Sequence, residues 1–215
     1  MRILSLAALA ALLSVPALAQ PTFHIKGGLN VATLAGDDSA ALEGDDFESE
    51  PRLGGVAGAG VLLPLTPSVG LQVEALYSQK GEVFADRLGE LDNETIRLDY
   101  VEIPAAIRFA VPTGSALEFG LSAGGYVGIP VQGEYEYETV AGGVTADLET
   151  RTDYGGLIGL DIGSGGVFAE ARYTFGLTDA VEYDPSDDIF PDYRNQVASL
   201  TLGYRFGGGN SYRRY

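Results

Sequence analysis

Apolar and polar side chains alternate along most of the chain from residue 20 onward. In "LDYVEIPAAIRFAV" (98–111), Val101, Ile103, Ala105, Ile107, Phe109 and Val111 share one phase. Tyr100, Glu102, Pro104, Ala106 and Arg108 occupy the other. A period of two belongs to a strand, whose successive side chains point to opposite faces. The pattern predicts eight strands, near 22–33, 53–63, 69–80, 96–111, 116–132, 154–162, 167–178 and 195–206. After the second, fourth and sixth come "PLTPS", "PTGS" and "GSGG", uncharged and suited to tight turns. After the first, third, fifth and seventh come connections of about fifteen to twenty residues. Strict alternation of short and long connections points to a transmembrane barrel with short inner turns and long outer loops.

The alternation alone allows two answers. A soluble barrel would face its apolar set inward, and a membrane barrel would face the same set to lipid. The start of the chain favours the second. Met1-Arg2, the apolar run Ile3 to Leu13 and "VPALAQ" (15–20) form a secretory signal with cleavage expected after Ala19. Aromatics that close several apolar sets, Tyr77, Phe109, Tyr154, Phe175, Tyr204 and Phe206, suit the girdles at a membrane interface. The expected architecture is therefore all-β, an eight-stranded antiparallel up-and-down transmembrane β-barrel. Its divisions are a signal peptide at 1–19, the barrel at 20–206 and a tail at 207–215.

Charge sharpens the picture. Of the 30 acidic residues, 24 fall in the four long connections, and the formal net charge is −17. Such acidity excludes nucleic acid as a partner, because phosphate recognition needs Lys and Arg. The absence of cysteine excludes a disulfide frame. The inward phase collects His24, Lys26, Gln72, Glu74, Glu102, Arg108, Glu118, Asp161, Glu170, Arg172, Thr201 and Arg205. Eight strands enclose a space that side chains fill, and unpaired charges there are costly. The acids Glu74, Glu102, Glu118, Asp161 and Glu170 with the bases Lys26, Arg108, Arg172 and Arg205 are thus expected to form an ion-pair network that plugs the lumen. A narrow path for ions or small solutes is the alternative.

Several stretches resemble the PorT-like outer membrane β-barrel proteins, a family among the OmpA-like small barrels. They are "IKGGLNVATLAGDD" (25–38), "LQVEALYSQKG" (71–81), "LDYVEIPAAIRF" (98–109), "FGLSAGGYVGI" (119–129), "VFAEARYTFGLTD" (167–179) and "LTLGYRF" (200–206). The resemblance spans nearly the whole mature chain. It implies an eight-stranded barrel in the outer membrane of a Gram-negative bacterium, in a family where one founding member is linked to protein secretion. The ending "GGGNSYRRY" after Phe206 departs from the family's usual close.

Chemistry-bearing residues are few. A lipid hydrolase would need a nucleophile, a base and an orienting acid within reach of one another. The one histidine, His24, stands at the start of the first strand, and Ser78, Ser122 and Ser199 have no triad spacing around them. The expectation is a non-enzymatic barrel without a cofactor. Paired aspartates Asp45-Asp46 and Asp187-Asp188 are weak candidates for a hard cation, since neither stretch follows the twelve-residue calcium loop. A monomer touching outer membrane lipid or lipopolysaccharide, with acidic outer loops available to an envelope or secretion partner, is the reading that remains.

Overall fold

The computed structural model describes residues 20–35, 47–86, 94–111, 113, 116–137, 144–148, 150–180 and 194–207. The expected signal peptide, the tail after Gly207 and the paired aspartates Asp45, Asp46, Asp187 and Asp188 lie outside the described residues. Among the described residues, nine strands form: β1 (Thr22–Ala35), β2 (Phe47–Pro64), β3 (Val69–Asp86), β4 (Glu94–Val111), β5 (Glu118–Tyr137), β6 (Val144–Asp147), β7 (Asp153–Ser164), β8 (Val167–Gly176) and β9 (Arg194–Gly207). Eight of them close a ring. Antiparallel pairs run in sequence from β1 to β5, then β5–β7, β7–β8 and β8–β9, and β9 returns to β1 from Thr22↔Gly207 to Ala35↔Arg194. β6 extends β5 alone, Glu134↔Asp147 to Tyr137↔Val144. Among the described residues, no helix is long and apolar enough to cross a membrane.

Closure removes the unpaired edges that an open sheet would expose. The short turns gather at one end. Gly165 and Gly166, with φ of 61° and 96°, make the two-residue link between β7 and β8, as a hairpin of the right twist requires. At the β2–β3 turn, Leu65 and Thr66 donate their backbone N–H to the Val69 carbonyl at 2.8 and 2.9 Å. Pro104, inside β4, has no N–H to give, and the β3–β4 register accordingly lacks the pairs between Val73↔Ala105 and Leu76↔Glu102.

The strands outrun the periodicity at the long-connection end. β2 begins at Phe47, β3 reaches Asp86 and β5 reaches Tyr137. The expected confinement of 24 acids to loops is thus corrected, since Glu82, Glu94, Glu134, Glu136 and Asp153 are strand residues. Two irregularities mark the start of this extension. β2 carries an extra residue between Pro51 and Val56, and β5 carries Val131 between the pairs Tyr100↔Pro130 and Asp99↔Gln132. Bulges of this kind are common at barrel rims, where they bend and re-aim a strand.

Candidate functional site

The outward face between the bulges and the short turns is a belt of exposed apolar side chains. Ile25, Leu29, Ile103, Phe109, Leu121, Ile129, Ile158, Leu160, Leu200 and Leu202 all belong to it. Tyr77, Tyr154, Tyr173 and Phe175 border it at one end, and Phe23, Phe109 and Phe206 at the other. Inside, three groups of charged side chains stack along the lumen.

The group nearest the short turns centres on Asp161 of β7. Arg108 of β4 grips it with both Nε and Nη2, at 2.8 and 2.7 Å, and Arg205 of β9 donates Nη2 at 2.6 Å. The Arg205 guanidinium also lies 4.1 Å from the Phe168 ring centroid, a cation–π contact favoured when water is excluded. Gly120 makes room for this group: a Cβ there would stand 2.1 Å from Asp161 Oδ2 and 2.5 Å from Arg108 Nη2.

The central group joins β1, β3 and β8. Glu74 accepts from His24 Nε2 at 2.8 Å and Gln72 Nε2 at 2.9 Å, and it pairs with Lys26 at 2.9 Å and Arg172 at 2.7 Å. Glu170 answers the same two bases, 3.0 Å from Lys26 Nζ and 2.6 Å from Arg172 Nε. Alternation on each strand aims these residues inward, and the hairpin register sets Asp161 beside Glu170 and Gly159 beside Arg172.

Of the charged residues in the outer group, Glu102 was expected from the sequence, and Lys80 and Asp153 were not. Lys80, fully buried, pairs with Glu102 at 2.5 Å and Asp153 at 3.0 Å. Its ammonium lies 5.1 and 4.6 Å from the rings of Tyr100 and Tyr126. Asp153 Oδ2 also accepts from Tyr126 OH and Asn195 Nδ2, each at 2.9 Å. Between the central and outer groups, Asn30 donates to Ser78 at 3.0 Å and accepts from Ser199 at 2.8 Å. Beyond Lys80 the interior becomes mainly apolar around the buried Glu82. Leu34, Ile96, Leu98, Tyr100 and Ala180 form a buried cluster, with Phe84, Tyr135 and Leu148 packed on it.

Of the expected network residues, Lys26, Glu74, Glu102, Arg108, Asp161, Glu170, Arg172 and Arg205 line the lumen. Glu118 does not. It opens β5 opposite Gly163 at the short-turn rim and is exposed to solvent, because the first residue of a strand has no further wall to cover it. With Glu118 removed and Lys80 and Asp153 added, the three groups carry five bases (Lys26, Lys80, Arg108, Arg172, Arg205) and five acids (Glu74, Glu102, Asp153, Asp161, Glu170). Net charge within the network is zero. Pairing on that scale is what allows ions to remain in a confined, water-poor space.

His24 is occupied by Glu74 and by an edge contact with Phe168, while Ser78 and Ser199 are engaged by Asn30. Among the described residues, no cluster of three or more His, Cys, Asp and Glu is arranged to hold a metal ion.

A closed antiparallel ring with a lipid-compatible outer belt and a neutralised charged interior defines a membrane β-barrel. The chain belongs to the outer membrane protein β-barrel domain family, whose model matches residues 19–182, and it is an outer membrane β-barrel. Solved barrels of similar shape include the attachment invasion locus protein Ail of Yersinia pestis, at 12% identity over 86% of this chain and 98% of that one, with a TM-score of 0.45. Neisserial surface protein A matches at 11% identity over 86% and 97%, also with a TM-score of 0.45. OprG of Pseudomonas aeruginosa matches at 11% identity over 86% and 95%, with a TM-score of 0.45. No curated protein matches the chain.

Proposed function

We propose that this protein is a closed, non-enzymatic scaffold that holds acidic loops at the cell surface for contact with the envelope or with a secretion complex. The neutral ion-pair column carries the reading. Side chains of six strands meet across the lumen at three heights, and fully buried Lys80 stands at the outermost. A filled interior leaves the outer connections as the part able to meet a partner, and these are rich in acid. The fold's stiffness then has a use: loops on a rigid frame lose less entropy on binding.

The same reading takes residues 1–19 as an export signal cleaved after Ala19, the host as a Gram-negative bacterium and the barrel as a monomer in contact with lipopolysaccharide. It follows the PorT-like resemblance of the segments quoted above. Mild crosslinking in the native membrane followed by purification is expected to retain a protein partner, and loop-swapped variants are expected to lose it. Planar-bilayer recordings on the same preparation should stay silent. Steady, reproducible conductance without a partner would replace the scaffold with a small-solute channel.

A further inference from the structure

We propose that the lumen contains a binding site for one structural water molecule, at the joint between the central and outer ion groups. The proposal rests on the closed-lumen reading and adds to it a ligand and a place. A cavity of about 10 Å³ lies at this joint, enough space to hold a water. Its polar wall includes Lys26, Glu102, Glu170, Arg172, Ser199 and Thr201. Three of these residues each bring a buried atom that makes no aligned hydrogen bond: Glu102 Oε1, Arg172 Nε and Thr201 Oγ1. Glu102 Oε1 lies 2.5 Å from Lys80 Nζ, and Arg172 Nε lies 2.6 Å from Glu170 Oε1. Those contacts are electrostatic pairs at poor angles, and each leaves capacity for a better-directed partner. The Thr201 hydroxyl, on a residue only 3% exposed, has not even that.

The chemistry of the wall selects the ligand. Lys26 and Arg172 balance Glu102 and Glu170, so an inorganic cation or anion would add a net charge to a desolvated space. A neutral molecule that both donates and accepts fits the three atoms. Water donates to the Glu102 carboxylate and to Thr201 Oγ1, and it accepts from Arg172 Nε. The water couples Glu102 of the outer group to Arg172 of the central one, so the two groups form a single column.

High-resolution diffraction from crystals of the refolded barrel tests the site. The expected result is a single density peak within hydrogen-bond distance of Thr201 Oγ1 and the Glu102 carboxylate. It should be lost in Thr201→Val and kept in Thr201→Ser. In nanodiscs, slow-water cross-peaks should reach the methyl groups of Leu76 and Val197, which line the same cavity. Heat-dependent gel mobility checks that each variant is folded. A dry cavity, an ion in its place, or a peak unmoved by Thr201→Val would overturn the proposal. Bilayer recordings separate the two ideas: current through the wild type defeats the closed lumen, whereas silence with a dry cavity defeats only the water.

Discussion

The membrane-facing barrel and its outer extension use the same strands with opposite polarity. On β4, the outward phase runs Arg97 and Asp99 and then Val101, Ile103, Ala105, Ile107 and Phe109. The inward phase runs Ile96, Leu98 and Tyr100 and then Glu102, Pro104, Ala106 and Arg108. The pleat never changes step, yet both faces exchange character between residues 99 and 102. Outside, Tyr77 donates its hydroxyl to Asp99 and Arg97 pairs with Glu136 at 2.6 Å, just past the apolar belt. Inside, the ion pair of Lys80 and Glu102 gives way to the packed side chains of Leu34, Ile96 and Leu98. The two bulges stand at this height. Strand period decides which side chains share a face, and the surrounding medium decides which face is apolar. Lipid requires hydrocarbon outside and tolerates paired ions within, and water restores the ordinary arrangement.

Breaking the lower column should cost most. Glu74→Gln leaves Lys26 and Arg172 without their shared partner, and a loss of about 3–5 kcal/mol is expected from urea unfolding in lipid vesicles. In the extension the corresponding lesion is apolar. Leu98→Ala should cost about 2–5 kcal/mol, and amide exchange should show the opening concentrated in residues 94–100 rather than in the belt. A charge on the lipid face comes next: Ala105→Lys should lose about 2–4 kcal/mol in the same unfolding measurement. Gly120→Ala, which presses a methyl onto Asp161 and Arg108, should cost about 1–3 kcal/mol. The smallest effect belongs to the extension's exterior. Arg97→Leu removes a pair whose arginine side chain is 48% exposed, and a change of about 0–1 kcal/mol that shrinks with added salt is expected.

Much of the lower barrel was readable because lipid imposes a clean alternation. Outward Val101 to Phe109 and inward Glu102 and Arg108 differ so sharply that the strand phase and the lumen residues follow from the sequence. The extension was harder to see. Its exterior faces water and carries Glu134 and Glu136 on β5 and Arg97 on β4, a composition shared with the acidic connections beside it. Lys80 and Asp153 were missed for the same reason, since each sits where a strand merges into such a connection. A signal for both was present. Lys80 continues the phase of Gln72, Glu74 and Ser78, and Asp153 lies eight residues before Asp161 on the same face of β7. Glu118 shows the converse error, for the phase was right but the wall ends there. Which oxygen meets which cation depends on which side chains face one another across the lumen from strands distant in sequence, such as Glu74 of β3 and Arg172 of β8, and no local pattern encodes that.

The chain has no cysteine, so a single introduced thiol gives an unambiguous probe, and a spin-label scan along β4 from 94 to 111 in lipid bilayers reads the exchange of polarity residue by residue. Labels at 101, 103, 105, 107 and 109 are expected to be relaxed by lipid-dissolved oxygen and those at 95, 97 and 99 by a water-soluble nickel chelate. Labels at 102, 104, 106 and 108 should be reached poorly by both. Ready access of the chelate to the even positions, or oxygen access that continues unchanged past residue 99, would contradict that exchange.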